Sequence, residues 1–325
     1  MCEVDRRSAL KARGARVRRL LRAVVYSISV WPTAAWPQQG PLADPWLAKP
    51  VDDQSFRTYL DFFKYDDRVP FDTRIIETSE LEGIRKEHLS FQSTSGIRVF
   101  ANFFCVSGTD SPRPAMILLH GGGAPGKDAA GMNRLAALLA RADWNALVID
   151  MPYFGERSTD LLTTFTEQDK HDRLYNQPPV YLAWVVQTIK DIGRSYDFLV
   201  GQRGVDPKRV GVFGFSRGAM IAAIAGGADR RLAAVVMSYG GHFDASEREH
   251  LPAACPANYI GRISPRPLLM LNGKFDTDMI PDTSVEPLYG LARPPKQILW
   301  SEGGHAAPSE ENQAAMLKWL RENLK

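Results

Sequence analysis

At 325 residues, with 44% hydrophobic and 24% charged residues, the chain has ordinary globular composition and enough apolar mass for a full core, which excludes disorder as its default state. The net charge of +3 is misleading, because residues 1–22 carry eight Lys/Arg against Glu3 and Asp5 and leave the remainder mildly acidic. A nucleic-acid partner needs a basic face on the folded part, and no Lys/Arg cluster lies there, so no such partner is expected.

In chain order, residues 1–40 read as a signal or targeting segment: basic "KARGARVRRLLR", apolar "AVVYSISVWPTAA", then "WPQQGP". The pair Arg18-Arg19 weakly resembles a twin-arginine signal. Secretion or a periplasmic address is the expectation, with a basic extension on a cytoplasmic protein as the alternative. No run of 18 apolar residues occurs, so no membrane span is expected. Residues 41–84, with "QSFRTYLDFF", read as an N-terminal helical arm on a main domain at 85–325. Within that domain the strand candidates are 96–106, 115–120, 145–150, 209–215, 232–240, 266–273 and 296–301. Helical candidates fall between them at 129–142, 181–200 and 217–225, with a closing helix at 310–323. Near-continuous apolar strands separated by helices predict an α/β fold, a mostly parallel sheet with helices on both faces.

One stretch carries chemistry. In "RVGVFGFSRGAMIAAIAG" (209–226), Ser216 sits where a strand turns into a helix, between Gly214 and Gly218. A turn that sharp strains its tip residue and brings the flanking segments too close for a Cβ, which accounts for both glycines. The helix N-terminus favours developing negative charge, and the Arg217 N–H can donate to an oxyanion, so Ser216 is the nucleophile candidate. The loop "HGGGAPG" (120–126) can supply a second donor, for which Gly122 is chosen. A phosphate-binding loop is excluded, because Lys127 is followed by Asp128 rather than Ser or Thr. His120 reads as a residue that ties this loop down.

The serine needs a base, and a histidine base needs an orienting acid. Of the six histidines at 88, 120, 171, 242, 250 and 305, only His305 lies in a glycine-flanked loop after the last strand, in "SEGGHAAP". The acid is expected between serine and histidine, after the penultimate strand. "LLMLNGKFDTDMIP" (268–281) provides Asp276, with Asp278 as the alternative. Cys2, Cys105 and Cys255 form neither a zinc spacing nor a disulfide framework, and buried free thiols are the expectation for Cys105 and Cys255.

The order Ser216, Asp276, His305, with "HGGG", "GFSRG", "NGKFD" and "GGH" each at a strand end, resembles the α/β-hydrolase superfamily. "FQSTSGIRVFANFF", "IDMPYFGERS" and "VDPKRVGVFGFSRGAMIAA" are similar to its dienelactone-hydrolase and acetyl-xylan-esterase branch. The resemblance covers roughly 85–325 and implies a serine-esterase mechanism through an acyl-enzyme, with no metal and no organic cofactor. Three features differ from the branch. Dienelactone hydrolases proper use cysteine as nucleophile. Pro281 lies five residues after Asp276 and three after Asp278, whereas the branch places a proline four after its acid, so both acids stay open. Arg217 stands where many members carry a small or amide residue.

The expected substrate is a small-molecule ester with a short, acetyl-type acyl group, reached under the polar segment 158–179. The alternatives are a peptidase or thioesterase using the same triad, or a non-catalytic binding protein on the same fold. The oligomeric state is left open.

Overall fold

The computed structural model describes residues 44–108, 112–243, 247, 249–306 and 308–324. The expected targeting segment therefore lies outside the described residues. Residues Pro41–Lys325 form one compact unit.

The helices α1 (Pro45–Ala48) and α2 (Asp53–Leu60) open the described chain. Each starts at an aspartate, Asp44 or Asp52, whose carboxylate accepts the backbone N–H groups of the first turn. The arm packs through its aromatic residues, with Phe56 and Phe63 against the buried Tyr259 ring at 5.5 and 6.0 Å. It is helical only in its first half. Arg74–Leu81 forms the edge strand β1, so the sheet begins ahead of the boundary expected at 85. Every residue of β1 is exposed, so no apolar alternation marks it in the sequence. Antiparallel pairing with β2 (Ile84–Gln92) holds it in place.

The remaining strands are β3 (Arg98–Val106), β4 (Ala115–Leu119), β5 (Asn145–Ile149), β6 (Val210–Phe215), β7 (Ala234–Ser238), β8 (Leu268–Gly273) and β9 (Lys296–Ser301). All match the expected segments to within two residues at either end. Their order is β1-β2-β3-β5-β4-β6-β7-β8-β9, antiparallel as far as the β3–β5 pair and parallel from β5 to β9.

Helices cover both faces. On β4, Ala115, Ile117 and Leu119 join one core cluster while Met116 and Leu118 join the other, as the two-residue period of a strand requires. The first cluster includes Trp184, Ile189 and Ile192 of α5 (Pro178–Arg203) and Met220, Ile221 and Ile224 of α6 (Arg217–Ala228). The second includes Leu135 and Leu139 of α3 (Ala130–Arg141) and Met316, Trp319 and Leu320 of the C-terminal helix, Glu310–Asn323. The long α5 starts on prolines and stops at Gly204, whose φ of 61° is left-handed, a conformation glycine adopts without steric cost.

The segment 158–179 is more ordered than a plain access loop. It holds α4 (Glu167–Lys170) followed by a π-helical turn at His171–Tyr175, and it buries Leu174 and Tyr175. Cys105 and Cys255 are buried free thiols. Among the described residues, no helix is long and apolar enough to cross a membrane.

Candidate active site

Ser216 occupies the tip of the β6–α6 turn with φ 53° and ψ −119°, a backbone state that costs an L-residue about 1–3 kcal/mol. The surroundings enforce it. The Ser216 N–H donates to the Ser238 carbonyl on β7 at 2.8 Å, and the Ser216 carbonyl accepts from the Ala219 N–H at 2.8 Å. A Cβ on Gly214 would lie 2.0 Å from the Gly218 carbonyl oxygen, and one on Gly218 would lie 2.5 Å from that of His120. Both glycines are thus required by the close approach that exposes the serine.

His305 follows β9, and its loop is stitched to the loop after β8 by backbone bonds. Lys274 N–H donates to the Ser301 carbonyl at 2.9 Å and Phe275 N–H to that of Gly303 at 3.0 Å. A Cβ on Gly273 would meet the Gly303 oxygen at 2.4 Å, so the two loops touch backbone to backbone. This brings His305 Nδ1 to 2.8 Å from Asp276 Oδ2 and His305 Nε2 to 2.9 Å from Ser216 Oγ.

With Nδ1–H donating to the carboxylate, Nε2 presents its lone pair to the serine hydroxyl. The other Asp276 oxygen accepts the N–H groups of Asp278 and Met279, both at 2.9 Å. Burial would raise the Asp276 pKa, but the His305 hydrogen bond and these N–H donors outweigh it and hold the carboxyl below its usual value. Asp278 is largely exposed, with its carboxylate 3.9 Å from Nε2 rather than at Nδ1. Of the two acids, Asp276 is the one in line with His305 and Ser216.

Gly122 and Arg217, the two residues expected to supply oxyanion donors, both line the same cleft as Ser216 and His305. His120 ties the glycine loop down as expected. Its Nε2 accepts the Met151 N–H at 3.0 Å, so its proton sits on Nδ1, 2.6 Å from the Gly121 carbonyl. Burial pushes its pKa down to about 4, which keeps it neutral. Lys127 lies buried with its ammonium 2.6 Å from Asp128 and 2.7 Å from Glu156, a structural ion pair rather than a phosphate ligand.

The cleft encloses about 800 Å³. Its wall contains groups that sequence spacing could not indicate. The Arg217 side chain is buried, pairs through both terminal nitrogens with Glu247, and stacks its guanidinium 3.9 Å from the Tyr175 ring centroid. Lys170 donates to the Gly122 carbonyl at 3.0 Å and pairs with Glu167 at 2.5 Å. The Tyr175 hydroxyl stands 2.8 Å from where a Gly122 Cβ would lie. Removing one partner of a buried ion pair strands the other charge, so Glu247→Gln should lower stability by about 3–5 kcal/mol. Urea unfolding followed by circular dichroism checks this, and an unchanged midpoint would contradict it.

Residues 112–317, more than half of the chain, match the family Serine hydrolase (FSH1). The chain belongs to this serine hydrolase family. It is therefore an enzyme with a serine-hydrolase framework, and solved structures agree on its fold. An acetyl xylan esterase from Paenibacillus sp. R4 superposes with a TM-score of 0.66 at 17% identity, covering 86% of this chain and 98% of that one. Acetyl xylan esterase 1 from Thermoanaerobacterium sp. JW/SL YS485 gives 0.66 at 19%, covering 85% and 95%. A cold-adapted esterase from an Arctic intertidal metagenomic library gives 0.59 at 20%, covering 77% and 98%. At these identities the likeness establishes the α/β-hydrolase fold for this FSH1-family hydrolase. A comparison with curated proteins finds no match.

Proposed function

We propose that this serine hydrolase cleaves carboxylic esters with short acyl groups through an acyl-enzyme. The observation that carries the reading is the unbroken relay from Ser216 Oγ through His305 to Asp276, open to the cleft. Ser216 Oγ attacks the ester carbonyl while its proton passes to His305 Nε2. Asp276 holds the imidazole in the required tautomer and stabilises the imidazolium. The Gly122 and Arg217 N–H groups receive the negative charge on the carbonyl oxygen. As the tetrahedral adduct collapses, His305 gives its proton to the leaving alcohol. Water, deprotonated by His305, then attacks the acyl-serine, and as the acyl–Oγ bond breaks His305 returns the proton to Ser216 Oγ and the acid is released.

A short acyl group is favoured by the wall beside the nucleophile, where Tyr175 and the Arg217–Glu247 pair are buried and mutually fixed. A long alkyl chain directed along that wall would meet the ion pair instead of an apolar surface. Each methylene that cannot be buried forgoes about 0.8 kcal/mol. The test is a series of 4-nitrophenyl esters from acetyl to decanoyl, with matched thioester and amide analogues. Turnover should be greatest for acetyl to butyryl oxygen esters. A preference for decanoyl would contradict the short-acyl reading, and a preference for the amide or thioester would contradict the ester reading.

A further inference from the structure

Away from the cleft, Asp44, His242, His250 and Cys255 bring one potential ligand atom each to within 4.8 Å of one another. His242 Nε2 lies 2.8 Å and His250 Nε2 2.7 Å from the same oxygen, Asp44 Oδ2. The other Asp44 oxygen is occupied by the Trp46 N–H at 2.8 Å. The His250 side chain is only 5% exposed. Its Nδ1 lies 3.3 Å from the Glu247 carbonyl. Among the described residues, His250 Nε2 is buried and has no hydrogen-bond partner despite its short approach to Asp44. With its proton on Nδ1, His250 sets a lone pair against that carboxylate, an arrangement that a cation between them relieves.

We propose that these four residues form a zinc site. A thiolate, two imidazoles and a carboxylate suit zinc over magnesium or calcium, which prefer all-oxygen shells. The charges balance, because one thiolate and one carboxylate offset a divalent ion. Tetrahedral bonds of roughly 2.0–2.3 Å separate ligand atoms by about 3.3–3.8 Å, so binding opens the two tight nitrogen–oxygen contacts and draws in the wider separations of up to 4.8 Å. Burial and the Asp44 carboxylate raise the Cys255 thiol pKa, so its thiolate forms only as the cation binds. Binding displaces the Cys255 thiol proton to solvent.

The site is structural rather than catalytic. With four protein ligands it leaves no open position for substrate. It ties the N-terminal arm at Asp44 to the loop that carries His242, Glu247 and His250, and Glu247 is the partner of Arg217 beside the nucleophile. The expectation of no metal rested on ligand spacing along the sequence, and here one ligand comes from nearly 200 residues away from the other three.

The test is titration of the reduced, chelator-stripped full-length protein with Co²⁺ alone, read by absorption spectroscopy. The expected result is saturation near one equivalent per chain, with tetrahedral d–d bands, a thiolate-to-cobalt charge-transfer band, and displacement of both by Zn²⁺. Cys255→Ala should abolish the charge-transfer band, and His242→Ala should weaken Co²⁺ binding at least about tenfold. Should either variant fail to fold, the wild-type spectrum decides. A folded wild-type chain that takes up no stoichiometric cobalt, or binds it without the charge-transfer band, overturns the proposal.

Discussion

Ser216→Ala is expected to lower ester turnover by about 10⁶-fold, and His305→Ala by a similar factor, while the double variant is little worse than either. The non-additivity follows from the geometry. The proton on Ser216 Oγ has one acceptor in line, His305 Nε2 at 2.9 Å, so losing either group leaves the other without a role. Residual rate over water should persist, because the Gly122 and Arg217 N–H groups are backbone atoms that both substitutions spare. Folding of the variants is checked by circular dichroism before assay. Turnover within tenfold of wild type in either pure single variant would contradict the triad reading.

Asp276→Asn should cost about 10⁴-fold in turnover, and Asp278→Asn little. The carboxylate of Asp276 accepts the His305 Nδ1 proton at 2.8 Å. An amide there can present its NH₂ instead, which favours the tautomer with the proton on Nε2 and removes the base that Ser216 needs. Asp278 lies on the other side of the imidazole, 3.9 Å from Nε2 and 64% exposed, where solvent screens its charge. Both variants are assayed on the same acetyl ester after a folding check. A large loss in Asp278→Asn with a small one in Asp276→Asn would move the acid role to Asp278.

These two aspartates illustrate how far the sequence carries. Strands β3 to β9 were legible because most of them are buried on both faces and read as apolar runs. Strand β1, "RIIETSEL", is exposed along its whole length and is held by pairing, which leaves no periodic signal. The elbow around Ser216 was legible because sterics fix the glycine spacing there. Asp276 and Asp278 share one turn, and strand-end position alone leaves both in reach. What separates them is that the Asp278 and Met279 N–H groups cap Asp276 and fold it inward.

The stretches that line the cleft were legible, but the pairings among their side chains were not. Arg217 and Glu247 are separated by the rest of α6, by β7 and by a loop, and nothing in either neighbourhood marks them as partners. The Asp44, His242, His250 and Cys255 cluster is hidden for the same reason, since the fold and not the spacing assembles it.

The central claim is that Ser216 is the nucleophile of a covalent mechanism. It is tested most directly by treating the purified enzyme with an aryl alkylphosphonate and locating the adduct by peptide mass spectrometry. The account predicts one phosphonyl group per chain, on the peptide containing Ser216, with activity lost in step with labelling and no adduct in His305→Ala on the same timescale. Full inactivation with Ser216 unmodified and the label on another residue, or complete labelling of Ser216 with activity retained, would contradict it.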